Sequence, residues 1–124
     1  MSRHVVITAG VRTAIGTFGG ALSGHAPTQL GAACVGEALH RSDLLASEVG
    51  HVVFGNVILT ESKDAYLARI AAIDAGIPVE VPAMTLNRLC GSGVQAIVSA
   101  AQAIMLGDCD TAVAGGAETM SRSP

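Results

Sequence analysis

Short β-branched runs closed by glycine or polar clusters alternate along the chain with longer stretches whose apolar residues recur every three or four positions. These are the signatures of strands and helices. Residues 4–9, His4-Val5-Val6-Ile7-Thr8-Ala9, end at Gly10 and are expected to form a strand buried on both faces. Val11 to Pro27 holds Gly16, Gly19, Gly20 and Gly24 without a sustained period and reads as a looping excursion. Pro27-Thr28 is expected to start a helix reaching His40, because Leu30, Ala33, Cys34 and Ala38 share one face, while Glu37 and Arg41 sit one turn apart on another. Residues 51–59 predict a second strand in which Gly55 and Asn56 mark a bulge or a close neighbour. Thr60 to Asp64 turn the chain. Leu67, Ile70, Ala71 and Asp74 then predict a helix over 66–75, capped by Gly76 before Pro78.

Residues 82–89 are strand-like again and run directly into Cys90-Gly91-Ser92-Gly93. Val94, Ile97, Val98, Ala101, Ile104 and Met105 follow at helical spacing until Gly107, predicting a helix over 93–106. Its broad stripe and small residues imply a central helix buried on more than one side. After Asp108-Cys109-Asp110, residues 111–116 predict a last strand ending in close-packed glycines. Alternating strands and helices imply an α/β fold, a mixed, mostly parallel sheet of at least four strands with right-handed crossovers and helices on its faces.

Composition narrows the functions open to such a fold. Half of the 124 residues are hydrophobic but only 2% are aromatic, so the core is built from small aliphatic side chains. A net charge of -3 argues against binding a nucleic-acid backbone, which needs a clustered basic face. The opening residues are too short an apolar run for a signal peptide, and no stretch offers roughly 20 uninterrupted apolar residues for a membrane span. A cytoplasmic protein that engages no membrane is expected. Three cysteines, Cys34, Cys90 and Cys109, without a C-x-x-C pair signal neither a disulfide framework nor a zinc site. His4, His25, His40 and His51 lack the spacing that would put two ligands on one helical face, so no metal is expected. Cys34 reads as a small hydrophobe.

The strand-to-helix junction concentrates the candidate chemistry. A cysteine at a helix start meets unpaired amide N–H groups and the positive end of the helix dipole, which favour thiolate over thiol. Gly91, Ser92 and Gly93 leave nearly bare backbone for a thioester to approach, and the Cys90 N–H can face a developing oxyanion. The plainer reading makes the glycines a tight turn and Cys90 a buried filler; spacing alone leaves both open. Ser92 lacks the Gly-x-Ser-x-Gly elbow of hydrolases and reads as a helix-capping side chain. Arg88, the nearest cation, is explained equally by an ion pair or by ligand binding. Dinucleotide and P-loop signatures are both absent.

Four segments taken together resemble the thiolase family of acetyl-CoA acetyltransferases and 3-ketoacyl-CoA thiolases. They are Val11-Arg-Thr-Ala-Ile-Gly-Thr-Phe-Gly-Gly, Gly55-Asn56-Val57, Asn87-Arg-Leu-Cys-Gly-Ser-Gly and Gly115-Gly-Ala-Glu-Thr-Met-Ser-Arg-Ser-Pro. The resemblance implies the first half of a thiolase fold, with residues 1–120 as its amino-terminal α/β domain and 121–124 as the start of a loop domain that binds CoA. It implies that Cys90 is the nucleophile carrying the acyl group as a thioester, with its own N–H in the oxyanion hole. It also implies CoA and acyl-CoA as substrates, no permanently bound cofactor, and a homodimer or homotetramer with the Asn87 strand near the subunit interface.

The family's later segments find no counterpart here. These are a Gly-His-Pro histidine that activates the cysteine, an Asn-Glu-Ala-Phe asparagine that holds a water, and a Cys-x-Gly cysteine that moves a proton. None of the four histidines sits in a matching context, so the chain is expected to be the opening part of a longer enzyme and inactive alone. The nearest rival enzyme is a decarboxylating ketoacyl synthase of the same fold type. A non-catalytic assembly fragment is the rival from another class.

Overall fold

The computed structural model describes residues 3–124. Its elements run α1 (Pro27–Arg41), β1 (His51–Gly55), α2 (Leu67–Asp74), β2 (Ala83–Leu86), α3 (Ser92–Leu106) and β3 (Ala112–Gly116). The three strands form one sheet in the order β2-β1-β3, all parallel, with Val52 opposite Ala83 on one side and Val113 on the other. Among the described residues the sheet therefore has three strands and no antiparallel member, rather than four or more in a mixed arrangement.

Alternation along β1 decides which helix lies on which face. Val52 and Phe54 point into a core with Val35 and Leu39 of α1 and Leu67, Ala68 and Ala72 of α2. Val53 points the opposite way, onto Ala96 and Ala100 of α3. Each fully buried valine or leucine contributes roughly 1.5–3 kcal/mol relative to exposure, so β1, apolar on both faces, holds three layers together. The α3 side of this sandwich is built from alanines, and that brings the helix close to the strand backbone.

Local signals explain the helix limits. Pro27 occupies the first position of α1, and the Gln29 side-chain oxygen accepts the Ala26 N–H at 3.0 Å. Arg41 Nε donates to Glu37 Oε1 at 2.6 Å across one turn, holding the exposed Glu37 carboxyl below its usual range chiefly through this hydrogen bond. Gly107 ends α3 with φ of 85°, the left-handed cap that glycine adopts without penalty.

Three expectations need correction. Residues 4–9 pair with no strand among the described residues, and Val6 and Ile7 are 75% and 78% exposed. The segment has strand composition but no neighbouring edge; a groove of about 830 Å3, lined by Val5, Ile7 and Val11, separates it from β3. Second, the faces that α1 and α3 bury are not those that the helical stripes predicted. The sheet side of α1 presents Gly31, Val35 and Leu39, and that of α3 presents Ser92, Ala96 and Ala100. Leu30, Cys34 and Ala38 of α1 and Val94, Ile97, Ala101 and Ile104 of α3 line the groove instead, so α3 is buried on one side and Val94 is 68% exposed. Third, Leu89–Leu106 is apolar enough over 18 residues to cross a membrane by length and composition, which the sequence reading did not allow. In this fold its alanine face covers a parallel sheet.

Gly55 marks the tightest approach in the structure that bears on the site. A Cβ there would lie 2.7 Å from Ser92 Cβ and 2.9 Å from the Ser92 carbonyl carbon. The Gly55→Ala variant is expected to lose about 1–3 kcal/mol by forcing α3 off the sheet. The exposed mid-helix Gly36, with nothing within 4 Å, is the control; Gly36→Ala should gain roughly 0.4–1 kcal/mol. Urea unfolding of both variants checks the pair, and a neutral Gly55→Ala would refute the close contact.

Candidate active site

The carboxyl ends of all three strands converge on one edge of the sheet, the usual place for ligands in open parallel α/β sheets. Beyond β1 the ladder continues for one residue on each side: Asn56 N donates to Leu86 O at 3.1 Å, and Ala117 N donates to Gly55 O at 3.1 Å. Three short loops therefore meet: 56–58 after β1, 87–91 after β2 and 117–119 after β3.

The loop after β2 is a tight knot. Gly91 N donates to Arg88 O at 3.1 Å and Ser92 N to Leu89 O at 3.0 Å. The buried Ser92 hydroxyl accepts the Arg88 N–H at 2.8 Å and donates to Leu89 O at 2.7 Å. Ser92 is thus the first helical residue and stitches the turn closed; it does not cap the helix, because its oxygen is spent on the preceding loop. Asn87 Oδ1 accepts the Leu89 N–H at 2.9 Å. Leu89 carries φ of 50°, one of two non-glycine residues on the left-handed side among the described residues. For a side chain of this size that conformation costs free energy and persists only where surroundings enforce it.

Cys90 follows directly, with an exposed free thiol on the wall of the groove. It precedes the helix N-cap, Gly91, rather than occupying the first helical position. The first helical bond runs from Gln95 N to Gly91 O at 2.9 Å, so the Gly93 and Val94 N–H groups are the free donors of the helix start. An exposed thiol in a strained turn beside such donors suits nucleophilic attack on a carbonyl whose oxygen gains negative charge. The reading of Cys90 as buried filler fails on its exposure.

The other candidates lie elsewhere. Cys34 is half-buried on α1, and Cys109 is half-buried before β3 at the opposite end of the sheet, where a Gly50 Cβ would lie 2.6 Å from its Cβ. Burial pushes the Cys109 thiol above its usual range, and Asp108 and Asp110 add to this against the opposing pull of Arg3. Arg88 turns onto α3, where its guanidinium donates to the Gln95 side chain; it has no acidic partner among the described residues, so the ion-pair reading fails. His51 Nδ1 lies 3.0 Å from Pro82 O at the amino ends of the strands, away from Cys90. The sequence reading missed Glu118, whose carboxylate gathers the loop after β1, accepting from Val57 N at 3.1 Å and Ile58 N at 2.7 Å. An acidic residue two positions beyond the glycine pair that ends a strand was the available signal.

Known proteins match this arrangement throughout. The family model "Thiolase, N-terminal domain" covers residues 5–124. Beta-ketothiolase BktB of Cupriavidus necator is 62% identical over all 124 residues, which span 32% of that protein. The acetyl-CoA acetyltransferase of Pseudomonas aeruginosa is 50% identical over 122 residues, 98% of this chain and 31% of that protein. In structure, the crystal structure of the Bacillus anthracis acetyl-CoA acetyltransferase matches with a TM-score of 0.94 at 46% identity, covering 99% of this chain and 31% of that one. The chain therefore spans about a third of the length of its curated relatives.

The two environments predict an order of thiol reactivity. Iodoacetamide should label Cys90 first at neutral pH, with Cys109 slowest, because a raised thiol is less ionised there. Cys109 labelling should keep rising at alkaline pH after an ordinary exposed thiol has levelled off. Peptide mapping over time measures both, and Cys109 reacting ahead of Cys90 would contradict the assignment of environments.

Proposed function

The chain belongs to the thiolase family, and on that premise we propose that the protein carrying it transfers acyl groups between CoA thiols through a thioester on Cys90. One observation carries the reading: the exposed Cys90 thiol sits in a strained turn at the carboxyl edge of the sheet, beside the free N–H donors of α3. The Sγ thiolate attacks the acyl-CoA carbonyl, the carbonyl oxygen becomes negative, and the Cys90 N–H helps to hold that charge. Collapse breaks the carbon–sulfur bond to CoA, whose thiolate leaves and takes a proton. The acyl group then passes to a second CoA thiol or to the enolate carbon of acetyl-CoA, regenerating Cys90.

The proton transfers need a base that these residues do not supply beside Cys90, and a positioned acid or base is typically worth about 100- to 10,000-fold. The proposal therefore assigns residues 1–120 to the amino-terminal α/β domain of a longer enzyme and 121–124 to the beginning of its loop domain. The base and the CoA contacts would come from later segments. The unpaired segment 4–9 and the apolar groove beside β3 support this, since both are what a sheet shows before all its strands are present. The relatives' names speak for acetyl-CoA as substrate. The mouse relative is named a cytosolic acetyl-CoA acetyltransferase; we extend a cytoplasmic location to this protein by that analogy, and a homo-oligomeric state by the family resemblance alone. CoA and acyl-CoA act as substrates, with no cofactor held permanently.

Acetoacetyl-CoA cleavage in excess CoA tests the reading in the intact enzyme. Cys90→Ala should abolish turnover, whereas Cys34→Ala and Cys109→Ala should leave it within about threefold, as expected for groups outside the chemistry. The 124-residue chain alone should give no multiple turnover. Sustained turnover by Cys90→Ala would sink the proposal.

A further inference from the structure

We propose that Glu118, acting through the loop after β1 and Asn87, is a positioning residue for the Cys90 thiol. The inference rests on the reading of Cys90 as the nucleophile. A continuous run of hydrogen bonds joins the two residues. The Glu118 carboxylate accepts from Val57 N at 3.1 Å, from Ile58 N at 2.7 Å and from the Asn56 side-chain amide at 3.2 Å. The carbonyl of Val57 accepts from Asn87 Nδ2 at 3.3 Å. Asn87 Oδ1 accepts the Leu89 N–H at 2.9 Å, and Leu89 is bonded to Cys90.

Each link has a physical task. A carboxylate receiving backbone N–H groups makes charge-assisted hydrogen bonds, stronger than neutral ones, so Glu118 fixes where the Val57 carbonyl points. That carbonyl orients the Asn87 amide, and the amide can then present its oxygen to the Leu89 N–H. Leu89, 69% exposed and with φ of 50°, has no packed side chain to hold its left-handed backbone. Hydrogen bonds must hold it, on one side from Asn87 and on the other from the Ser92 hydroxyl and N–H on Leu89 O at 2.7 and 3.0 Å. Release of the Asn87 side lets Leu89 return to negative φ, and that rotation swings the Cys90 sulfur away from the free donors at the start of α3. Glu118 touches neither substrate nor sulfur in this account; it sets the aim of the nucleophile from the loop after β3, on the far side of β1.

The test uses the intact enzyme carrying Glu118→Ala, Glu118→Gln, Asn87→Ala and the double alanine variant. It reads three quantities: the rate of the first acyl transfer from acetyl-CoA to Cys90, the KM, and the rate of Cys90 alkylation by iodoacetamide. A misplacement of about 1 Å can cost on the order of 100-fold, so each alanine variant should slow the first acyl transfer about 10- to 100-fold with KM nearly unchanged. Alkylation should slow in parallel. The double variant should be no slower than the worse single one, because the two residues act in series. Glu118→Gln keeps one oxygen acceptor and should recover most of the rate. Asn87→Ala, at an exposed position, carries the test if Glu118→Ala fails to fold. Unchanged acylation and alkylation rates in a folded alanine variant, or effects that multiply in the double variant, would overturn the proposal. Turnover surviving in Cys90→Ala would instead remove the nucleophile reading, while the alkylation rates would still report whether Glu118 and Asn87 set the position of the thiol.

Discussion

The contact between the backbone of Gly55 and Ser92 is the constraint on which the rest of the site depends. β1 is the middle strand, apolar on both faces, and its last residue carries no side chain, so the start of α3 can lie directly against it. That approach buries Ser92, and a buried hydroxyl must find partners. It finds them in Arg88 N and Leu89 O, thereby closing the loop that holds Leu89 in a left-handed conformation and Cys90 at the surface. One missing Cβ in a strand is in this way linked to the exposure of a thiol on the next helix.

The same economy of size runs through α3. Alanines face the sheet, and the larger Val94, Ile97 and Ile104 face the groove with the alternating apolar residues of 5–11. The helix can sit close enough to bring its amino end to the strand ends only because its sheet-facing side chains are small. A broader side chain at Ala96 would lift the helix and take the free N–H donors of its start away from the cysteine.

Much of this was legible in the sequence. Helix periods and glycine caps at Gly76 and Gly107 located the helices to within one or two residues, since those signals are local. The junction at Cys90 was legible because a strand run stops and a helix period begins there with only glycine and serine between. What failed depended on neighbours. The run 4–9 has strand composition, but a strand exists only by pairing. Burial was assigned to the stripes Leu30, Ala33, Cys34 and Ala38 in α1 and Val94, Ile97, Ala101 and Ile104 in α3, whereas packing selected the faces carrying Gly31, Val35 and Leu39 and carrying Ala96 and Ala100. Glu118 and the Asn87 amide were invisible as a pair because 31 positions and a different strand separate them.

The central claim is that this turn makes Cys90 the residue that accepts an acyl group. Brief exposure of the intact enzyme to acetyl-CoA without acceptor, acid quenching and peptide mass mapping measures it directly. The account predicts a single added acetyl group, on the peptide containing Cys90 and removed by hydroxylamine as a thioester. An acetyl group found on the Cys34 or Cys109 peptide with Cys90 free would contradict it.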